Sequence, residues 1–209
     1  MKRVAFLFSG RGSLLNTVEE CLKNLSIESQ LSLVITNNSE VELNQLPIPK
    51  DCDAYCIDHK SFSNREGHEE EISALIEKYN IDLIVLGGYR RIFSSDFITK
   101  YGDKTINTHP SLLPAFVGDK AQLKAIQKGV RITGATVHFI NNEVDQGPII
   151  TQAAVEVKPH YSEFDLKEAI INVEKKALAR AVKLFIEDKL RIENNVVYIN
   201  SEYEHELFV

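Results

Sequence analysis

Two short segments of the chain carry side chains whose types and spacing suit acyl transfer. The first runs from Asn107 to Pro114 and places an amide and an imidazole two residues apart, at Asn107 and His109. Residues i and i+2 of an extended chain point to the same side, so both groups can face one pocket. The second segment, from Asp145 to Pro148, adds a carboxylate at a Gly/Pro turn. Together they supply an oxyanion donor, a titratable ring and an acid that orients the ring or relays protons.

Each of these three groups also has a common structural role. An Asn before a turn, a His near a strand end and an Asp at a turn are each structural more often than catalytic. Their joint occurrence favours chemistry, because one site then contains a donor, a ring and an acid. The His, Cys and Asp residues show no cluster with the spacing of metal ligands, so no metal is expected.

Hydrophobic periodicity predicts the elements that would position these groups. Apolar runs predict strands at 4–8, 31–36, 54–57, 81–86 and 105–107, and amphipathic patterns predict helices at 13–24, 63–79, 94–101, 120–128 and 163–188. This alternation indicates an α/β, doubly wound, mostly parallel sheet. Later β-rich runs at 134–140 and 149–157 are expected to pair antiparallel, and 191–199 to form a hairpin around two asparagines. Because no linker divides the chain, residues 1–200 are predicted to form one domain, followed by an acidic tail at 201–209.

Composition limits the classes of partner and location. The 209 residues include 44% hydrophobic and 26% charged residues, with a net charge of −6. The acidic balance argues against nucleic-acid binding, and the apolar runs fall well below the roughly 18 residues that span a bilayer. Apolar residues 4–8 are too few for a signal peptide, and three cysteines do not make a disulfide framework. A cytoplasmic protein is therefore predicted. The partners are expected to be small molecules, and the composition does not distinguish a monomer from a homodimer.

Five segments in register resemble the folate-dependent formyltransferases over nearly the whole chain. They are 8–13 (FSGRGS), 86–92 (LGGYRRI), 107–114 (NTHPSLLP), 134–139 (GATVHF) and 144–150 (VDQGPII). The resemblance implies a single-domain Rossmann-like formyltransferase fold: a mostly parallel twisted sheet with an antiparallel C-terminal part and helices on both faces. It also implies a phosphate-binding half at about 1–100 and a catalytic and folate-binding half at about 101–200.

The resemblance further implies a reaction. A formyl group would move from N10 of 10-formyltetrahydrofolate, a co-substrate, to the primary amine of 5-phosphoribosylglycinamide in purine biosynthesis. The amine would attack the formyl carbon, Asn107 would donate to the oxygen of the tetrahedral intermediate, and protonated His109 could donate a second bond. Asp145 would keep His109 charged and relay protons, while His138 would be a buried supporting residue. The histidines at 59, 68, 160 and 205 are expected at the surface.

The binding residues implied by the resemblance fall into three groups. Backbone groups of Gly12, Ser13 and Leu14 would hold the substrate phosphate, although Ser13 could instead simply cap the following helix. Gly88 and Glu174 would serve the ribose and amine side. The folate set, which would act largely through backbone groups at the pterin, comprises Arg91, Ile92, Phe93, Ile140, Asn141, Asn142, Glu143, Val144 and Asp145.

Four positions depart from the family pattern and leave the substrate open. Leu14 replaces a usual Asn, Ile171 a usual Lys or Gln, Arg90 a frequent Met and Val117 a frequent Pro. Arg90 could contact the acidic tail of folate or reach water, and Asn is expected to be tolerated at position 14. The alternatives are formyl transfer to another amine, such as an amino sugar nucleotide, and a non-catalytic folate-binding module.

Overall fold

The computed structural model describes residues 1–200 of the chain. The predicted acidic tail at 201–209, together with His205, lies outside the described residues. The chain separates into two compact units, of which the first comprises Met1–Asn107 and the second begins at Thr108. The boundary therefore falls inside one strand, and the assignment of phosphate binding to the first hundred residues stays a prediction.

The first unit is built on parallel strands, the last of which continues past Asn107 into the second unit. These strands are β1 (Lys2–Phe8), β2 (Ser29–Thr36), β3 (Asp53–Cys56), β4 (Leu83–Leu86) and β5 (Thr105–His109). β1 pairs with β2 and β4, β2 with β3, and β4 with β5, all in parallel. β4 is buried over its full length, as expected for a parallel strand that is covered on both faces.

Three helices connect these strands: α1 (Leu15–Lys23), α2 (Arg65–Lys78) and α3 (Ser95–Tyr101). The N-cap side chains of Asn64 and Ser94 accept backbone N–H groups of the first turns of α2 and α3. The N-cap position of α1 is Leu14, without a side-chain hydrogen bond. The alternative that Ser13 caps this helix is therefore wrong.

The second unit contains the antiparallel part and the longest helix. Its elements are α4 (Ala121–Lys128), β6 (Ile132–Phe139), β7 (Ile149–Glu156), α5 (Glu163–Ile186), β8 (Leu190–Glu193) and β9 (Val196–Ile199). β6 pairs antiparallel with β7, and β8 with β9 through two asparagines at positive φ. A capping box between Ser162 and Asp165 starts α5, whose Leu166 and Ile170 pack in a core with Ala135 of β6.

The strand order is β3-β2-β1-β4-β5-β6-β7, a mixed sheet with β8 and β9 in a separate pair. This confirms the α/β class and the mostly parallel sheet with an antiparallel C-terminal part. One difference concerns β5, which extends two residues beyond its predicted end, so that His109 lies on the strand. Within residues 1–200, no helix is long and apolar enough to cross a membrane.

One histidine is misplaced by sequence reasoning. His68 is predicted at the surface but is buried in α2, where its Nε2 atom lies 3.1 Å from the carbonyl oxygen of Ile57. Burial lowers the pKa of this ring because desolvation disfavours the charged form. The polar sequence around His68 conceals that it lies on the inner face of its helix.

Candidate active site

A buried histidine and a buried carboxylate meet in the second unit. The Nδ1 atom of His109 lies 3.2 Å from Oδ2 of Asp145, and the exposed fractions of the two side chains are 7% and 9%. The same oxygen accepts the backbone N–H of Gly118 at 2.8 Å. The structure therefore brings together two of the three predicted catalytic residues, in a place where water screens their interaction weakly.

The loop after β6 places the carboxylate of Asp145 beside the ring of His109. Asp145 has a φ of 56°, a left-handed conformation that Asp and Asn adopt more readily than most residues. Two residues later, the backbone of Gly147 passes so close to β6 that an added Cβ would stand 1.7 Å from the carbonyl oxygen of Phe139. Only glycine permits this approach, which holds the loop against the end of the strand.

His138 faces the other oxygen of the same carboxylate. Its Nε2 atom is 3.8 Å from Oδ1 of Asp145, and its Nδ1 atom is 2.7 Å from the carbonyl oxygen of Phe139. The side chain is 2% exposed, which confirms the predicted burial. Desolvation lowers the pKa of His138, while the Phe139 carbonyl and Asp145 oppose this shift. Asp145 thus lies between two buried histidines, His109 and His138.

The second nitrogen of His109 already has a partner. Nε2 lies 2.9 Å from the carbonyl oxygen of Phe116, a residue with a φ of 57° in the loop that follows the catalytic segment. Both neighbours of the ring are acceptors, so both hydrogen bonds form together only when the ring carries two protons. In this arrangement the predicted second bond from His109 to substrate would replace the bond to Phe116.

A polar clamp holds the segment immediately after His109. The hydroxyl of Thr136 donates to the carbonyl of Ser111 at 2.7 Å and accepts the N–H of Leu113 at 3.0 Å. The side-chain amide of Gln152 donates to Thr136 and to the carbonyl of Leu113. These bonds run from β6 and β7 to the loop after β5, so the antiparallel pair positions the segment that follows His109.

Asn107 lies two residues before His109 on β5 and is half-buried. Residues at this spacing in a strand point to the same side, so the amide and the imidazole share a face of β5. Thr108, the residue between them, is buried.

Glu174, expected on the ribose side, meets β5 at Thr108. Glu174 is half-buried on α5, and desolvation of its carboxyl raises its pKa, whereas the nearby hydroxyl of Thr108 lowers it. That hydroxyl is buried and has no partner at hydrogen-bonding geometry. Glu174 is therefore not a solvated charge on an exposed helix face, which is the usual environment of a Glu side chain.

The predicted phosphate loop is a tight turn in the first unit. Gly12 has a φ of 66°, and an added Cβ would stand 3.3 Å from the ring of Phe8. Gly12 accepts the N–H of Leu15 at 3.0 Å, and Ser13 is exposed at the entrance to α1. Leu14 is only 4% exposed and belongs to the core. This burial contradicts the expectation that Asn is tolerated at position 14.

Gly88, predicted for the ribose and amine side, lies next to the start of this loop. Its carbonyl accepts the N–H of Ser9 at 3.3 Å, and the hydroxyl of Ser9 accepts the N–H of Arg90 at 2.8 Å. The loops after β1 and β4 are therefore joined through Ser9. Sheets of this class bind ligands at the carboxyl ends of their strands, where both loops lie.

The two segments of the predicted folate set belong to different units. In the first unit, Arg91 and Ile92 are exposed, whereas the ring of Phe93 is buried and stacked between Tyr89 and Phe97. The burial of this ring leaves only the backbone of Phe93 for the predicted folate contact.

In the second unit, the loop from 140 to 145 is closed by Asn141. The side-chain amide of Asn141 donates to the carbonyl of Gln146 at 3.1 Å, and its oxygen accepts the N–H of Glu143 at 3.0 Å. Ile140 is half-buried, whereas Asn142, Glu143 and Val144 are exposed.

Comparison with known proteins identifies the family. The chain matches the family described as formyl transferase over residues 2–182, most of its length. The chain belongs to the formyl transferase family. In this formyl transferase, residues 1–200 contain no group of three or more His, Cys, Asp or Glu side chains that could hold a metal ion.

Relatives of this formyl transferase include short and long proteins. It is 33% identical over 206 residues to a phosphoribosylglycinamide formyltransferase of Haemophilus influenzae, covering 97% of this chain and 95% of the relative. It is 35% identical over 197 residues to the human trifunctional purine biosynthetic protein adenosine-3, covering 92% of this chain but spanning only 19% of that protein. The crystal structure of phosphoribosylglycinamide formyltransferase from Anaplasma phagocytophilum matches with a TM-score of 0.86 and 34% identity, covering 99% of this chain and 98% of the other.

Sequence reasoning missed several groups that surround the predicted catalytic residues of this formyl transferase. The carbonyl of Phe116 and the N–H of Gly118 are backbone groups, which a sequence pattern does not distinguish. Thr136 and Gln152 were detectable only as polar residues within two β-rich runs. Thr108 stands inside the 107–114 segment, but its role depends on contact with a helix more than sixty residues later.

Proposed function

We propose that this chain transfers a formyl group from 10-formyltetrahydrofolate to the amine of 5-phosphoribosylglycinamide, in purine biosynthesis. The observation that carries the proposal is the buried His109–Asp145 pair, two residues along β5 from the Asn107 amide. A binding module would not require these three groups together. The near full-length likeness to a relative named phosphoribosylglycinamide formyltransferase supports the choice of amine.

In the proposed mechanism, the amine nitrogen attacks the formyl carbon and a new C–N bond forms. The carbonyl electron pair moves to oxygen, giving a tetrahedral intermediate whose negative charge the side-chain N–H of Asn107 stabilises. A fixed donor is effective because it needs no reorganisation when charge develops. The doubly protonated ring of His109, held by its two acceptors, adds positive charge to the same face of β5.

Proton transfer completes the proposed reaction. The attacking nitrogen must lose a proton, and N10 of the folate must gain one as its bond to the formyl carbon breaks. Oδ2 of Asp145 already accepts two hydrogen bonds, whereas Oδ1 has only His138 at 3.8 Å. Oδ1 is therefore the better placed oxygen to accept a proton, directly or through water, and to return it to N10.

The phosphate of the substrate is assigned to the backbone of Gly12, Ser13 and Leu14, and the ribose hydroxyls to Glu174. The turn at Gly12 leads into the start of α1, where the helix N-terminus favours an anion. The carboxyl of Glu174 is desolvated, so it suits hydrogen bonds donated by the hydroxyl groups of a sugar. Because Leu14 is a core residue, phosphate binding here uses backbone groups without a side-chain amide.

Folate is assigned to the backbone of Arg91, Ile92 and Phe93 and to the loop from 140 to 145. The hydrogen bonds of Asn141 hold this loop in a turn, and its residues Asn142, Glu143 and Val144 are exposed and so accessible to the pterin ring. Both substrates are small molecules, the proposed location is the cytoplasm, and neither a metal nor nucleic acid takes part. A monomer or homodimer stays a prediction.

The deciding experiment is formyl transfer from 10-formyltetrahydrofolate to a panel of amines. The panel contains 5-phosphoribosylglycinamide, its unphosphorylated analogue and an amino sugar nucleotide, and a reaction without amine measures hydrolysis. Preference for 5-phosphoribosylglycinamide by at least tenfold in kcat/KM is expected. Turnover only with the amino sugar nucleotide would replace the proposed substrate, and folate binding without any turnover would establish the non-catalytic module.

A further inference from the structure

A polar cavity of about 260 Å³ lies in the first unit, and Gly12, Ser13 and Leu14 are not among the residues that line it. Three of its lining side chains are cations, Lys60, Arg90 and Arg91, and one is a carboxylate, Asp58. Asp58 attracts Lys60, which leaves the lining of the cavity with an excess of positive charge. The chain as a whole is acidic, with a net charge of −6, so the positive charge is a local feature of this cavity.

The carboxylate of the cavity is already engaged. Oδ1 of Asp58 accepts the backbone N–H of Lys60 at 2.9 Å, and Oδ2 accepts the hydroxyl of Ser39 at 2.8 Å. The Lys60 N–H and then Ser39 lower the pKa of Asp58, so it remains an anion that caps the turn at His59–Ser61. Asp58 thus fixes the segment that carries Lys60 and offsets part of its charge, but a single carboxylate does not neutralise three cations.

Neutral hydrogen-bonding groups complete the wall. Asn37, only 3% exposed, and Asn38 follow β2, and Ser9 follows β1, so the cavity opens at the carboxyl ends of parallel strands. His59 donates through Nδ1 to the carbonyl of Asn37 at 3.2 Å, which ties the segment after β3 to the end of β2. Ligands of doubly wound sheets bind at this edge.

We propose that this cavity binds a compact group carrying two or more negative charges on carboxylate or phosphate oxygens. Guanidinium and ammonium groups bind such oxygens through short, charge-assisted hydrogen bonds. The volume lies below the roughly 300–1,000 Å³ of pockets that enclose a drug-sized ligand. The cavity therefore fits a small anion, or the charged end of a larger molecule.

Two sources supply this chemistry. One is the glutamate carboxylates at the tail of the folate co-substrate, because Arg91 belongs to both the cavity and the proposed folate set; this source rests on the proposed function. The other is a phosphate compound that binds on its own, which does not depend on it. Substitutions of Lys60 and Arg90 test anion binding by the cavity, because neither residue belongs to the proposed catalytic, phosphate or folate residues.

The test is calorimetric titration of the full chain at constant ionic strength with two probes, inorganic pyrophosphate and a γ-linked triglutamate. Lys60→Gln and Arg90→Met should each weaken binding of a probe by about tenfold, the loss expected for one charge-assisted contact. Lys50→Gln, which removes an exposed lysine of the same unit outside the cavity, should leave binding unchanged. Binding of triglutamate alone identifies the folate tail, and binding of pyrophosphate alone identifies a phosphate compound.

Two outcomes overturn the proposal. One is that neither probe binds at millimolar concentration. The other is that the Lys60→Gln and Arg90→Met proteins bind as the unaltered chain does, while Gly12→Val abolishes binding, which would place the anion at the turn before α1. Because both titrations are read without turnover, their failure is distinguishable from failure of the formyl-transfer assay.

Discussion

The Nε2 atom of His109 lies 2.9 Å from the carbonyl oxygen of Phe116, while its Nδ1 atom faces Asp145. The ring therefore has an acceptor at each nitrogen, which keeps it oriented. In the proposed mechanism, the amide of Asn107 therefore donates directly to the intermediate, and Asp145 acts beside the His109 ring. The first two predictions test these proposed roles.

Asn107→Ala is expected to lower kcat by about 100- to 1,000-fold, because removing one oxyanion donor has this effect in other enzymes. Folate affinity should stay within about twofold, since the proposed pterin contacts come from other residues. Steady-state kinetics and direct folate binding measure the two effects. Asn16→Ala, an exposed asparagine on α1, is the control. A kcat close to that of the unaltered chain would disprove the donor role.

Asp145→Asn is expected to reduce kcat by at least about 100-fold while the melting temperature changes little. Asparagine adopts the left-handed conformation of this position and still accepts the N–H of Gly118, but it removes the negative charge beside His109. Kinetics and thermal unfolding are compared with Asp119→Asn, an exposed neighbour. An active but unstable Asp145→Asn protein would show that the carboxylate serves the loop and not the reaction.

Gly12→Val is expected to raise KM for 5-phosphoribosylglycinamide at least tenfold with little effect on the KM for folate. A side chain here has a strained positive φ, meets the ring of Phe8 at 3.3 Å and blocks approach of a phosphate to the backbone. Gly10→Val is the matched control, because a Cβ at Gly10 meets nothing within 4 Å. The effect should vanish with the unphosphorylated analogue; equal damage with both compounds would mean that the turn serves only the fold.

Leu14→Asn is expected to lower the free energy of unfolding by about 2–5 kcal/mol, because it removes a buried apolar side chain and buries an amide. Leu14→Met, which keeps volume and polarity, should cost less than about 1.5 kcal/mol. Urea unfolding of both variants measures the difference. Equal stability of the two would contradict the placement of Leu14 in the core.

Glu174→Gln is expected to stabilise the fold at neutral pH by about 1 kcal/mol and to raise KM for the ribonucleotide. The pKa of Glu174 is raised above its ordinary value of 4.5, so the folded chain holds this proton more tightly than the unfolded chain. Stability is therefore lost as pH rises from 4.5 through the folded pKa, and the variant escapes this loss. The gain should disappear below pH 4.5.

The control for this prediction is Glu168→Gln, an exposed glutamate on the same helix, which should leave both stability and KM unchanged. Unfolding curves at several pH values and steady-state kinetics supply the measurements. A constant stability difference across the pH range would show that Glu174 titrates normally.

Much of the fold follows from local patterns along the chain. The apolar run that forms β4 and the β-rich runs that form β6 and β7 were predictable because each buries side chains with the period of its own element. The spacing of Asn107 and His109 likewise needs only strand geometry. The pairing of His109 with Asp145 was suggested by the chemistry of the two segments, and the family resemblance strengthened it.

The remaining features depend on packing between distant residues. The burial of Leu14 reflects core packing beneath the turn, and the contact of His109 with Phe116 depends on a left-handed residue inside a loop. The polar neighbourhood of His68 in the sequence gave no sign that its helix face is covered. Backbone carbonyls and tertiary contacts of this kind have no signature in a single sequence.

The close passage of Gly147 along Phe139 has a consequence for how this enzyme can vary. Since any Cβ there would stand 1.7 Å from a carbonyl oxygen, the position tolerates no other residue without displacing the end of β6. The exposed residues at 142–144 carry no such restriction. Substitutions at 142–144 can therefore alter the surface of this loop, while Gly147 keeps the Asp145 carboxylate beside His109.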